Sequence, residues 1–155
     1  MTNPETYLSE HFQLKEFTAS TSYPDIYNVP SPGVVENLRV VAQWLEEMRS
    51  RYNRAYMAGR DTPVVVSSGY RSIKLNRAVG GTKESNHLYG YAADLRCRGL
   101  TQAIRYAALL LDISMDWVKP FDELIIERRY NRYWLHFAVC PTRNRLNVTF
   151  IDKRK

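Results

Sequence analysis

The chain is poor in the residues that would staple a small protein. It has only two cysteines, Cys97 and Cys140, in 155 residues. Neither sits in a CxxC pair, so a disulfide framework and a cysteine zinc ribbon are both excluded. Each follows an apolar run and reads as a small buried hydrophobe, with no disulfide between them expected. There is no apolar run of about 18 residues, so no membrane-spanning helix is expected. The first residues, Met1-Thr2-Asn3-Pro4-Glu5-Thr6, contain neither a basic nor an apolar segment. The expectation is therefore a protein made in the cytoplasm without a secretory signal. Internal repeats and low-complexity tracts are also missing. Histidine is scarce, with three residues, His11, His87 and His136. Any imidazole chemistry must come from these.

What remains is an ordinary globular composition, 45% hydrophobic and 25% charged, of a length that suits one domain over residues 1–155, expected as a monomer. The formal charge of +6 favours anionic partners such as nucleic acid, acidic lipid or an anionic cell wall. The cations are dispersed, with a modest excess at Arg143, Arg145, Lys153, Arg154 and Lys155. No basic stripe interleaved with stacking aromatics is present, so nucleic acid is not the expected partner.

Residues 1–30 read as an irregular N-terminal arm punctuated by Pro4, Pro24 and Pro30, with Phe12, Leu14 and Phe17 to pin it to a core. Ser31-Pro32 opens a helix, serine as cap and proline in the first turn. Val35, Leu38, Val41, Leu45 and Met48 carry it at helical spacing to about Tyr52. Val64-Val65-Val66 reads as a short buried strand, and Ser72 to Val79 as one or two helical turns ended by Gly80-Gly81. Tyr91 to Cys97 reads as a strand. Thr101 to Leu111 reads as a helix capped by Thr101, with Ala103, Ile104, Ala107 and Leu111 inward. Asp122 to Arg129 and Trp134 to Cys140 form a hairpin around Tyr130-Asn131-Arg132-Tyr133, with Asn131 suited to the turn. Asn147 to Ile151 is one more short strand. This order predicts an α+β domain: a small antiparallel sheet, flanking helices and a C-terminal hairpin that carries part of a metal site.

The chemistry concentrates in Ser85-Asn86-His87-Leu88-Tyr89-Gly90-Tyr91-Ala92-Ala93-Asp94. Gly90 lets the chain turn sharply after His87. Asp94 then lies on a strand beside small Ala92. His87, Asp94 and, from the hairpin, His136 are three ligands of the kind zinc takes with a fourth position open, the pattern of a catalytic ion. A four-residue loop at 130–133 puts Glu127 directly opposite His136, where a carboxylate can act as general base. Arg71 is placed to hold a substrate carboxylate or a developing oxyanion. Singly, each residue has an ordinary reading: a hydrogen-bonded core histidine, a turn-capping aspartate, an exposed strand glutamate, an ion-paired arginine. His11 has no assigned role. Tyr89, Tyr91, Tyr130, Tyr133 and Trp134 either line the cleft or pack.

Several stretches together resemble the M15 peptidases, zinc D-alanyl-D-alanine carboxypeptidases and L-alanyl-D-glutamate endopeptidases of bacterial cell walls. They are Ser67-Ser68-Gly69-Tyr70-Arg71-Ser72, Leu75-Asn76-Arg77-Ala78-Val79-Gly80-Gly81, Ser85-x-His87-x-x-Gly90-x-Ala92-x-Asp94 and Trp134-Leu135-His136. The small single-domain branch of phages and prophages is the most similar. Phe12-x-Leu14-x-Glu16-Phe17, Asn28-x-Pro30, Val35-x-Asn37-Leu38 and Phe121-Asp122-Glu123-Leu124-Ile125-x-Glu127 extend the likeness over residues 8–150. The resemblance implies Zn2+ held by His87, Asp94 and His136, with Arg71 and Ser85 at the substrate. It also implies peptidoglycan stem peptides as substrate, and action on the wall after release from the cell or as a virion component. The sequence departs at one point. Many members carry an acidic base three residues before the last histidine, where this chain has Tyr133, and Glu127 is the replacement. The alternative is a non-catalytic wall-binding or virion module of the same fold.

Overall fold

A computed structural model describes residues 6–153. Met1 to Glu5, with Pro4, and the basic Arg154 and Lys155 lie outside the described residues. Five strands form one sheet in the order β1-β2-β4-β3-β5, with β1 at Val66–Ser68, β2 at Ala92–Cys97, β3 at Glu123–Arg129, β4 at Arg132–Ala138 and β5 at Asn147–Asp152. The first four strands pair antiparallel. The fifth runs parallel to β3, which departs from the antiparallel expectation at one edge. The α-helices among the described residues are α1, Leu14–Thr18; α2, Pro32–Tyr56; α3, Ile73–Ala78; and α4, Leu100–Trp117. Among the described residues, no helix is long and apolar enough to cross a membrane.

The long α2 starts as its sequence demands. The Ser31 hydroxyl accepts the Val34 N–H, and Pro32 occupies the first turn, where its missing N–H is harmless. Val35, Leu38, Val41, Trp44, Leu45 and Met48 are all buried. Trp44 packs on Trp117, Phe121 and Phe137, which joins α2 to α4 and to the inner face of the sheet. On that face Leu124, Leu135 and Phe137 are buried. The N-terminal arm is not wholly irregular, because α1 gives it one helical turn. Phe12, Leu14 and Phe17 fix it to the core as anticipated.

Several details correct the sequence reading. The first strand forms at Val66–Ser68 rather than at Val64, and Val64 enters the core ahead of it. Helix α4 begins after Gly99, not at a Thr101 cap. Its buried face is Ala103, Tyr106, Ala107, Leu110 and Ile113, whereas Ile104 and Leu111 are exposed. Anchoring on the bulky Tyr106 turns the stripe by about one position, since neighbours on a helix differ by about 100°. The hairpin loop is two residues, Tyr130-Asn131, and the left-handed residue is Tyr130 at φ +57°. Ile125, not Glu127, therefore faces His136, and Glu127 faces Trp134. The slip is by two residues, so Glu127 keeps the expected face but moves about 7 Å along the strand.

Candidate active site

The outer face of the sheet carries the polar residues in rows. Asp94 on β2 pairs directly with His136 on β4, and Ser68 on β1 lies on the other side of Asp94. Arg96, Trp134 and Glu127 form the next row; Ala92, Ala138 and Glu123 form the row on the other side. The period of two along each strand puts these side chains on one face. Ala92 and Ala138 are fully covered, and the open space lies over the rows of Asp94 with His136 and of Arg96 with Trp134 and Glu127. A cavity of about 1000 Å³ opens there, lined by Arg71, Ser85, His87, Asp94, Glu127 and His136 among others. It thus brings together every residue singled out for the site. Tyr133 and Trp134 also line it. Tyr89 and Tyr91 instead stack on each other, with centroids 5.5 Å apart.

His87 is delivered by a single 3₁₀ turn, Asn86–Tyr89. Ser85 caps this turn, its hydroxyl accepting the His87 N–H at 3.2 Å. Gly90 closes it at φ +75°, where a Cβ would lie 2.8 Å from the Val34 carbonyl oxygen. The turn is therefore pressed against α2, and only glycine fits. The imidazole Nδ1–H of His87 donates to the Gly69 carbonyl at 2.6 Å, which fixes the tautomer and leaves Nε2 aimed at Asp94 Oδ1, 3.4 Å away. Gly69 itself lies where α1 meets the loop after β1; a Cβ there would sit 2.7 Å from the Phe17 carbonyl oxygen. Asn28 ties the arm to the same loop, accepting from the Ser72 N–H and donating to the Tyr70 carbonyl. The N-terminal arm thus holds the segment that carries Arg71.

Asp94 is the centre of the cluster. Its Oδ1 lies 2.9 Å from His136 Nδ1 and 3.4 Å from His87 Nε2, and its Oδ2 lies 3.4 Å from Arg71 Nη2. Burial alone would push this carboxyl up, but His87 and His136 more than reverse that and hold it well below the usual range. Burial likewise disfavours a charged His136, yet Asp94 and Glu123 outweigh it and push the imidazole up to about 10. Two imidazoles and one carboxylate offer ligand atoms within 4.8 Å of one another, two of the three residues being buried. Both inner nitrogens and one carboxylate oxygen thus point at one place. That donor set suits zinc, which takes imidazole nitrogen and carboxylate oxygen and leaves a position free in catalytic sites.

Arg71 reaches Ser68 Oγ and Asn76 Oδ1 as well as Asp94, and burial lowers its proton affinity against the pull of Asp94 and Glu127. Glu127 is buried in the cavity wall and pairs with Lys153 Nζ at 2.8 Å. Sequence reasoning missed Glu123, which accepts a hydrogen bond from His136 Nε2 at 3.1 Å and one from Asn86 Nδ2 at 2.7 Å. With the hairpin read two residues too long, Glu123 falls opposite Cys140, out of reach of His136. The shorter loop brings it alongside. Buried Asp122 was also missed: it accepts from Asn86, from the Arg145 guanidinium and from the Arg145 N–H. Cys97 and Cys140 are free, buried thiols, pushed up by burial to about 12 and about 11.

Compared with known proteins, residues 10–111 match a family model described as Peptidase M15. A 35-residue stretch is 51% identical to the zinc D-Ala-D-Ala carboxypeptidase of Streptomyces albus G, covering 23% of this chain. That match spans 14% of the relative's own length.

Proposed function

Because the chain belongs to the M15 peptidase family, we propose that it is a zinc metallopeptidase that hydrolyses peptide bonds in peptidoglycan stem peptides. The observation that carries this reading is the convergence of His87 Nε2, Asp94 Oδ1 and His136 Nδ1 at the floor of an open cavity. Those three residues would hold the ion. Zinc bound there supplies Lewis-acid activation of water and of the scissile carbonyl. Glu127, on the same face one row along the sheet, accepts the proton of the attacking water and passes it to the leaving amine. Arg71 presents a half-buried guanidinium to a substrate carboxylate or to the developing oxyanion. Ser85 lies at the rim, where its hydroxyl both caps the His87 turn and faces the cavity.

The similarity to a D-Ala-D-Ala carboxypeptidase supports a wall substrate, cut either as a carboxypeptidase or as an endopeptidase. The positive charge suits an anionic wall. The resemblance to the small single-domain branch supports a phage or prophage lysin, or a virion component, acting on the wall as a monomer.

A second reading, a wall-binding module with the metal but without turnover, draws on one contact. Lys153 occupies the Glu127 carboxylate at 2.8 Å. Digestion of purified peptidoglycan, with products identified by mass spectrometry, separates the two. Cleavage that stops on chelation and returns with zinc is expected, and the products name the bond. Stoichiometric zinc without any cleavage would transfer the assignment to the wall-binding module.

A further inference from the structure

The two histidines of the cluster are each held from behind, but by different groups. His87 uses its outer nitrogen on a backbone carbonyl, that of Gly69 at 2.6 Å. His136 turns its outer nitrogen, Nε2, to the Glu123 carboxylate at 3.1 Å while Nδ1 faces Asp94. We propose that Glu123 is a positioning residue for the metal centre: it fixes His136 in the tautomer that leaves Nδ1 free for the ion and strengthens that nitrogen as a ligand. The inference rests on the zinc reading above and adds to it a residue with a task distinct from that of Glu127.

Three observations support it. The first is direction. Glu123 meets the imidazole edge facing away from Asp94, and it is not among the three residues whose ligand atoms converge. The second is bracing. The Glu123 carboxylate accepts from Asn86 Nδ2 at 2.7 Å and faces Arg145 Nη2 at 3.6 Å, and the same Asn86 nitrogen reaches buried Asp122 Oδ2 at 2.8 Å. A carboxylate gripped this way holds one orientation. The third is connectivity. Asn86 precedes His87, so the network fastens the turn bearing one histidine to the strand that orients the other. A carboxylate behind a metal-bound imidazole raises the basicity of the ligating nitrogen, and removal of such a partner typically lowers metal affinity about 10- to 100-fold.

The test measures zinc affinity by competition with a chromophoric chelator, together with thermal melting of the metal-free protein, for wild type, Glu123→Ala and Glu123→Gln. The expected result is zinc binding weakened about 10- to 100-fold in Glu123→Ala. Glu123→Gln, which can still accept from Nε2–H but has lost the charge, should fall between that variant and wild type. Metal-free melting should stay near wild type for Glu123→Gln. Zinc affinity in both variants within about twofold of wild type would overturn the inference while leaving the zinc reading intact. Weakened binding that merely tracks unfolding of the metal-free protein in both variants would overturn it too. A wild-type protein that binds no zinc would instead overturn the zinc reading on which it rests.

Discussion

Two cavities among the described residues are nearly equal in volume, and each holds histidine, carboxylates and arginine. One, of about 1020 Å³, lies along α2 and contains His11, Glu46, Arg49 and Asp61. The other, of about 1000 Å³, lies over the sheet and contains His87, Asp94, His136 and Arg71. Residue types alone do not separate them; burial does. The side chain of Asp61 is 78% exposed and that of His11 33%, whereas those of His87 and Asp94 are 4% and 11% exposed. In the α2 cavity water reaches His11 and Asp61 and screens their charges. Over the sheet the same groups are desolvated, and two imidazoles share one carboxylate oxygen. Volume therefore does not distinguish the two cavities, but desolvated convergence does.

The sharpest way to break the comparison is to remove its ligands. His87→Ala and His136→Ala should each abolish stoichiometric zinc and peptidoglycan cleavage, read by metal analysis and product mass spectrometry. Full zinc retention in both variants would remove the ligand set. The next largest effect belongs to Glu127. Glu127→Gln should keep zinc and lose about 10²- to 10⁴-fold in turnover, the usual range for a positioned acid–base group. A fully active Glu127→Gln enzyme, compared at equal zinc loading, would end its role as base. Arg71→Ala should lose about 10²- to 10³-fold, the range for removing one oxyanion donor, with a melting temperature near that of wild type.

The α2 segment, the sharp turn at Gly90 and the hairpin were all legible because each rests on local signals: a serine–proline start, a glycine free to turn, alternating apolar residues. The grouping of His87, Asp94 and His136, the proposed zinc ligands, was legible because it joins a tight spacing to one distant histidine in a chain that has few. What was not legible depends on non-local pairing. The loop at 130–133 gave no sign that Arg132 would join the strand, because Tyr130, not Asn131, takes the left-handed turn position. That two-residue difference kept Glu127 on the right face and hid Glu123 altogether. The parallel docking of β5 is likewise set by Leu146 and Asn147 donating to the Phe121 and Asp122 carbonyls, contacts with no local signature. The face of α4 was misjudged by about one position because Tyr106 buries more area than Ile104.

Asp122 sharpens the comparison from the side of stability. The Arg145 hydrogen bonds come first in holding its carboxyl down at about 2, against an ordinary 3.8. A depressed folded-state value means that its stabilisation is present in full well above pH 3.8 and is lost as pH falls towards 2. Asp122→Asn should therefore destabilise the metal-free protein by about 1–2 kcal/mol at pH 7, Arg145 being exposed enough to mute the charge. The gap between variant and wild type should narrow by about half at pH 3 and close only below about pH 2, as thermal melts from pH 7 down through the folded value would show. A gap that persists at low pH would mean that the loss is one of packing, not of the ionised carboxylate.

The smallest effect should come from the α2 cavity. Burial tends to raise the Glu46 carboxyl, but hydrogen bonds from the His11 N–H, the His11 ring and Ser9 reverse this and lower it. His11→Ala removes only the ring's part of that network. The backbone N–H and the Ser9 hydroxyl still satisfy Glu46, so no buried acceptor is orphaned, and the loss should be within about 1 kcal/mol. Zinc content and cleavage should be those of wild type, because none of the groups around His11 lines the sheet cavity. If His11→Ala lowered zinc occupancy as far as His87→Ala does, exposure would have failed as the criterion that divides the two cavities, and the metal would have to be sought along α2.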